Sequence, residues 1–576
     1  MTAPAIRYHV TAPNPANHLA HVTMEVDGPD ERTDLALPVW TPGSYMVRDF
    51  SRHIQDFRAR DQDGRPLSWQ KTRKDVWTIE SGDAGQLRVD FDVYANDLTV
   101  RTSHLDSTHL FFNPANLLPY LPSRTGEPHA LSFEVPEGWT VATGLAALAD
   151  GDGFVAQDYD ELVDSPVHAG PDPILKFEVR GIPHEVATWG RNNLDVAQFT
   201  ADLAKIVAAQ ASLFDGLPYE RYVFILMAND EGGGGLEHRN SCSLLVNRFA
   251  FRPGPTYERL LRLCSHEFFH TWNVKRIHPA ALGPFNYQSE NYTRSLWAVE
   301  GITDYYALLM LRRSGIISPE RFLEVLGQWM SDLADTPGRN VQSLEEASFD
   351  AWIKYYRPDE HSVNSGVSYY LKGALASLLL DLEMWGRTGG ERSLDDLMRL
   401  LWQRFGQTDQ GVPENAYQGL VEEIAGGDWT AFFDAVIRGR GDLSYPPSLA
   451  AGGVEVGWAA DQAGPEAWLG LQLRTEATRT RVRLAPADGP AFAAGFTGGD
   501  ELLALDGFRV SEATLNDRLR DYHPGQTVTI SVFRGDHLIE IPVTLAKRPA
   551  TRATLKRIAE PTPLQEAIFK AWTHAQ

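Results

Sequence analysis

Apolar and polar residues alternate at Ala20, Val22, Met24 and Val26, and again at Leu87, Val89, Phe91 and Val93 within QLRVDFDVY. A period of two lays one face of a strand on a core and leaves the other face in water. Turn-forming stretches such as TPGSY, DQDG and PEGW separate these runs, because glycine, proline and aspartate favour the backbone angles that reverse a chain. Residues 1–170 are therefore predicted to form a mostly antiparallel β domain.

The period then changes. VAQFTADLAKIVAAQASLF is helical in pattern, YVFILMAND reads as a strand, and long segments with helical spacing follow to about Pro446. In SPERFLEVLGQWMSDLA, Ser318 is placed to cap a helix and Pro319 to occupy its first position, where the missing N–H costs nothing. Residues 171–448 are predicted as an α-rich domain. Alternation returns over residues 449–550, where Val528, Ile530, Val532 and Ile539, Ile541, Val543 flank an Arg534-Gly535-Asp536 turn. This is a second, smaller β module, and residues 551–576 are read as a C-terminal tail.

A chain of 576 residues needs several cores. Its net charge of −23 repels phosphate backbones and anionic headgroups, so neither nucleic acid nor a membrane is an expected partner. Cys242 and Cys264 are the two cysteines, too few for a secreted disulfide scaffold of this size. The first residues lack a basic stretch followed by an apolar core, and no apolar run approaches the roughly 18 residues of a membrane span. A soluble, cytoplasmic protein is expected.

LCSHEFFHTWN, from Leu263 to Asn273, carries the candidate chemistry. Residues four apart share a helix face, so His266 and His270 can turn two imidazoles on one ion, with Glu267 projecting beside it. Hydrogen-bonded core histidines are the competing reading, and a third ligand decides between the two. SLWAVEGITDYYALL offers Glu300 on a following helix. Asp304 lies one turn on, placed to hydrogen-bond the far nitrogen of a ligand histidine. Glu290 is an alternative third ligand that lacks this tryptophan and glycine context. Cys264, on the apolar side of the helix, reads as an inert buried thiol.

HEFFHTW followed by WAVEGITDYY resembles the gluzincin metallopeptidases, and the longer string HEFFHTWNVKRIHPAALGPFNY resembles the glycyl aminopeptidase family that carries a PDZ domain. The interval from His270 to Glu300 is longer than in the better-known aminopeptidases, as it is in that family. The resemblance implies a multidomain α+β architecture: an N-terminal antiparallel β domain, a thermolysin-like catalytic domain over 171–448 and a PDZ module over 449–550. It implies Zn2+ held by His266, His270 and Glu300, with Glu267 as the base. NDEGGGGLEHRNSCSLL resembles the exopeptidase motif of metallo-aminopeptidases, which puts Glu237 on the substrate amine and Gly233, Gly234 and Gly235 beside its backbone. Tyr370 to Gly373, Tyr-x-Lys-Gly, resembles the region that holds the oxyanion tyrosine. Tyr369 is the rival there, and on a helix it points about 100° away. WLGLQL and DGPAFAAGFTGGDELLALDGFRV resemble a PDZ domain, which implies either a peptide or protein C-terminus as a partner or a module that only packs against the catalytic domain.

The expected activity is zinc-dependent removal of N-terminal residues, glycine or alanine, from peptides with a free N-terminus, through attack by a metal-activated water. Two other readings use the same residues: a zinc endopeptidase in which Glu237 is structural, and a non-catalytic PDZ scaffold. An N-blocked peptide separates the first of these from an aminopeptidase, and an intact Glu267 argues against the second.

Overall fold

The alternating runs of the first 170 residues lie side by side. Leu19–Asp27 pairs antiparallel with Ile6–Thr11 on one flank and Gln86–Tyr94 on the other. Ala20, Val22, Met24 and Val26 are buried, as are Leu87, Val89, Phe91 and Val93, so the period of two does mark a core face. This seven-stranded sheet departs from antiparallel pairing where Ile6–Thr11 runs parallel to His129–Glu134. Four further strands, Thr140–Thr143, Val167–Gly170, His109–Phe112 and Ser103–Asp106, form a second sheet. The computed structural model describes residues 4–149, 151 and 153–574.

The middle of the chain holds a five-stranded sheet in the order Leu175–Val179, Ile182–Trp189, Tyr222–Asn229, Ser241–Asn247, Gly235–Glu237. Its three central strands are parallel. Tyr222–Asn229 is buried along nearly its whole length, which explains an apolar run without alternation. Gly235–Glu237 folds back antiparallel to Ser241–Asn247 and forms the outer edge. Helices from Val196–Leu213 to Pro446–Ala451 pack into one core with this sheet. Pro319–Ala334 begins as its sequence indicated, with the Arg321 amide donating to Ser318 Oγ at 3.2 Å.

A third core belongs to the sheet Gln472–Glu476, Arg479–Leu484, Glu501–Leu505, Thr527–Arg534 and His537–Thr544. The unit docks through Asn364, which donates from Nδ2 to the Ala485 carbonyl at 3.0 Å and accepts the Ala487 amide at 2.8 Å.

Residues 551–576, read above as a tail, hold a strand and a helix instead. Arg552–Arg557 pairs with Val454–Ala459, and Pro563–Thr573 presses Ile568, Phe569 and Trp572 into the core of the middle domain. Trp572 is fully buried, and its indole N–H donates to the Tyr305 hydroxyl at 2.7 Å. The apolar spacing of Ile568, Phe569 and Trp572 is a one-sided helical stripe, too short to stand alone in water and stable once docked.

Candidate active site

The helix Pro255–Phe269 carries His266 and Glu267, and His270 closes its C-terminus. All three are buried, in a pocket beneath the sheet edge. His266 Nδ1 lies 3.1 Å from Asp304 Oδ1, and His270 Nδ1 lies 2.6 Å from the Asn273 carbonyl. A carboxylate and a carbonyl only accept, so each Nδ1 carries its ring's proton. Both Nε2 lone pairs are thereby released, and they face each other at 3.0 Å. Glu300 Oε2 sits 3.4 Å from His266 Nε2 and 3.2 Å from His270 Nε2.

Glu300 reaches this point from a π-helical turn, Trp297–Gly301, that leads into the helix Ile302–Arg313. Asn273 ties that turn to the end of the histidine helix, with Nδ2 at 3.0 Å from the carbonyls of Ala298 and Val299 and from Thr303 Oγ1. Gly301 meets Gly373 on the next helix so closely that a Cβ on Gly301 would stand 2.5 Å from the Gly373 backbone. The glycine after Glu300 therefore sets the distance to the helix Leu371–Arg387, whose first turn begins at Tyr370.

Two imidazole nitrogens and a carboxylate oxygen converging on one point, buried, with second nitrogens held by acceptors, fit a divalent cation of the zinc type. Without a cation a proton must fill the gap. Burial alone would depress His266, but its bonds to Asp304 and Glu300 outweigh that and hold its pKa well above the ordinary value. Burial would raise Glu300, but the two imidazoles prevail and hold it at about 2. Glu267, outside the His266, His270 and Glu300 set, is pushed up to about 7 by burial, with the carboxylates of Glu237 and Glu300 adding to the shift against the pull of the two histidines.

Glu237, at the end of the edge strand, turns its carboxylate to within 4.8 Å of ligand atoms on Glu267 and His270. It is 4% exposed and has no hydrogen-bond or ion-pair partner among the described residues. Gly235 lies directly above Glu267, and a Cβ there would stand 2.1 Å from Glu267 Oε1. Gly234 adopts a φ of +128°, which an L side chain rarely takes, while Gly233 has open space around it. Tyr370 lines the cavity of about 270 Å³ that contains the histidines and Glu300. Tyr369 is fully buried behind it. A second cavity of about 620 Å³ meets the first at Glu237 and Gly43 and is bordered by Asp158, Asp160, Glu161 and Asp164. Glu290 is absent from the lining of both cavities. Cys264 and Cys242 are buried free thiols, and burial pushes both pKa values up.

Several contributors were not singled out from the sequence. Gly43, seen only as part of the turn TPGSY, backs Glu237 so tightly that a Cβ would stand 2.6 Å from its Oε1. Tyr356 brings its hydroxyl to 3.3 Å from that of Tyr370. Arg101 enters the cavity wall from the first domain. None of these sits in a motif, because each acts through a contact between distant segments.

A buried His–His–Glu set beside a free carboxylate, on a helix under a sheet edge, is the constellation of a metal-dependent peptide hydrolase. Residues 7–171 match the Peptidase M61 N-terminal domain, residues 259–376 the M61 glycyl aminopeptidase and residues 467–545 a PDZ domain. The crystal structure of an aminopeptidase N family protein from Idiomarina loihiensis is 33% identical, with a TM-score of 0.92 over 99% of this chain and 100% of that one. The chain belongs to the M61 glycyl aminopeptidase family of peptidases. An M1 zinc metallopeptidase from Deinococcus radiodurans is 16% identical, with a TM-score of 0.47 over 76% of this chain and 94% of that one. No curated protein sequence matches the chain. Among the described residues no helix is long and apolar enough to cross a membrane.

Proposed function

We propose that the protein is a zinc aminopeptidase that removes single small residues, glycine or alanine, from the free N-termini of peptides. The observation that carries this reading is Glu237, a buried carboxylate without a partner, set at the end of an edge strand beside Glu267. A buried anion is costly unless a cation meets it, and the α-amine of a peptide is such a cation. The glycine or alanine preference rests on the glycyl aminopeptidase match.

Zn2+ held by His266, His270 and Glu300 would supply Lewis acidity for the scissile carbonyl and lower the pKa of a water. Glu237 fixes the amine, so only the first peptide bond reaches the centre. Gly234 and Gly235 put no side chain of their own between the strand and an extended substrate. Glu267 takes a proton from the attacking water and returns it to the leaving amine. The Tyr370 hydroxyl donates to the oxygen on which negative charge develops. The 467–545 unit takes a chain end by strand addition along Gln472–Glu476, the outer strand of its sheet.

The test is a panel of free and N-acetylated Gly- and Ala-peptide amides offered to the zinc-loaded protein. Free amines are cleaved and acetylated ones are spared, and chelation abolishes activity. Glu237→Ala loses about 2 to 3 kcal/mol of transition-state binding on free peptides, the value of a desolvated charged hydrogen bond. Brisk cleavage of acetylated peptides overturns the exopeptidase reading in favour of an endopeptidase.

A further inference from the structure

Three arginines, Arg101, Arg259 and Arg262, stand on the wall of the cavity that contains the histidines, in a chain of net charge −23. Two are accounted for. Arg262 pairs with Asp304 at 3.6 Å and lies over the Trp329 ring at 5.2 Å. Arg259 also has no carboxylate partner among the described residues, but it is exposed, so water solvates its charge, and it donates to Thr256 Oγ1 at 3.0 Å. Arg101 is different. Its Nε is buried without a partner, and among the described residues its guanidinium has no carboxylate partner. Its side chain makes one long bond, from Nη2 to the Gly235 carbonyl at 3.4 Å.

The backbone at Arg101 is fixed by its neighbours. Val100 is buried in one cluster with Leu236 of the edge strand. The Arg101 amide donates to Thr99 Oγ1 at 3.1 Å, and its carbonyl accepts from Asn116 Nδ2 at 3.2 Å. With the backbone pinned on both sides, the guanidinium stands over Gly235 and Gly234, its Nη1 3.7 Å from where a Cβ on Gly234 would be. A partly buried cation held in place without an anion is an anion site.

The strand gives the direction. A peptide whose amine meets Glu237 and which lies antiparallel to Gly235–Glu237 runs toward Gly235 and then Gly234. Each residue advances about 3.4 Å, so the second or third residue of the substrate arrives opposite Arg101. We propose that Arg101 binds the C-terminal carboxylate of di- and tripeptides, so that the two ends of a short peptide are read at once, the amine by Glu237 and the carboxylate by Arg101. This rests on the aminopeptidase reading above and narrows its substrates to the short products left by other peptidases. The first domain thereby supplies part of the specificity, and longer chains lose the contact because their carboxylate lies beyond it.

The experiment compares Ala-Ala-Ala with Ala-Ala-Ala-amide on the zinc-loaded full chain. The free acid should be preferred by about 10-fold or more in kcat/KM, expressed mainly in KM, as expected for a charged hydrogen bond. In Arg101→Gln the ratio of the two substrates should fall to near one, whatever common factor the substitution applies to both. Calorimetric titration of the zinc-loaded Glu267→Gln protein with the same pair reads the preference as a Kd ratio without turnover. A wild-type ratio near one, or a preference that survives in Arg101→Gln, overturns the role of Arg101 and leaves the aminopeptidase reading intact. No cleavage of either tripeptide by wild type overturns the aminopeptidase reading, and this proposal with it.

Discussion

Replacing Gly235 by alanine tests whether the edge strand and the base are built as one unit. The new Cβ would stand 2.1 Å from Glu267 Oε1, 2.3 Å from Cδ and 2.5 Å from Cγ. Ordinary contact begins near 3.4 Å, so the carboxylate must retreat by about 1 Å or more, and a misplacement of about 1 Å costs on the order of 10²-fold in rate. The backbone itself accepts the change, because Gly235 is not among the residues with positive φ. His266, His270 and Glu300 are untouched, so metal content should persist while kcat falls about 10²-fold, close to 3 kcal/mol. Steady-state kinetics on an alanyl peptide with metal analysis measure both quantities. The cause is isolated in a Glu267→Ala background, where the methyl meets no carboxylate and Gly235→Ala should cost little more. A Gly235→Ala enzyme within threefold of wild type, or an equal loss in both backgrounds, would refute the reasoning.

Two further outcomes follow from the same geometry. In chelator-treated protein burial raises Glu267 to about 7 from 4.5, so the folded state holds a proton that the unfolded state releases, and this group's contribution to stability falls as pH rises from about 4.5 through 7. Glu267→Gln should therefore be more stable than wild type at pH 8, by at most about 3 kcal/mol, and equal to it near pH 4.5; a denaturant series across that range in which the gap does not shrink toward acid pH refutes the burial argument. Tyr370→Phe should lower kcat about 10²-fold with zinc retained, whereas Tyr369→Phe, behind the cavity wall, should leave kcat within a few-fold, and the reverse order would assign the oxyanion contact to Tyr369.

What could be read from the sequence was local. His266 and His270 lie one turn apart, so their convergence follows from helix geometry alone, and the buried alternation at Ala20 to Val26 follows from the strand period. Ser318 and Pro319 announced a helix start for the same reason. The segment 551–576 reads as a tail because a single apolar stripe at Ile568, Phe569 and Trp572 does not say what it packs against.

The residues at the cavity depended on contacts that no local pattern records. Tyr369 and Tyr370 are neighbours with the same side chain, and only the packing of the helix Leu371–Arg387 against Gly301 turns one to the cavity and the other to the core. Gly43 and Arg101 reach Glu237 and Gly235 across more than a hundred residues of chain. The amino-acid sequence by itself determined the residue types of the His–His–Glu set, the helical spacing of its histidines and the strands and helices that carry them, since those are short-range consequences of backbone geometry. Which carboxylate is left without a partner among the described residues, which glycine makes room for Glu267 and which arginine faces the cavity were decided by tertiary packing, within the middle domain and between it and the first, because burial and the absence of a counter-ion are properties of the assembled core.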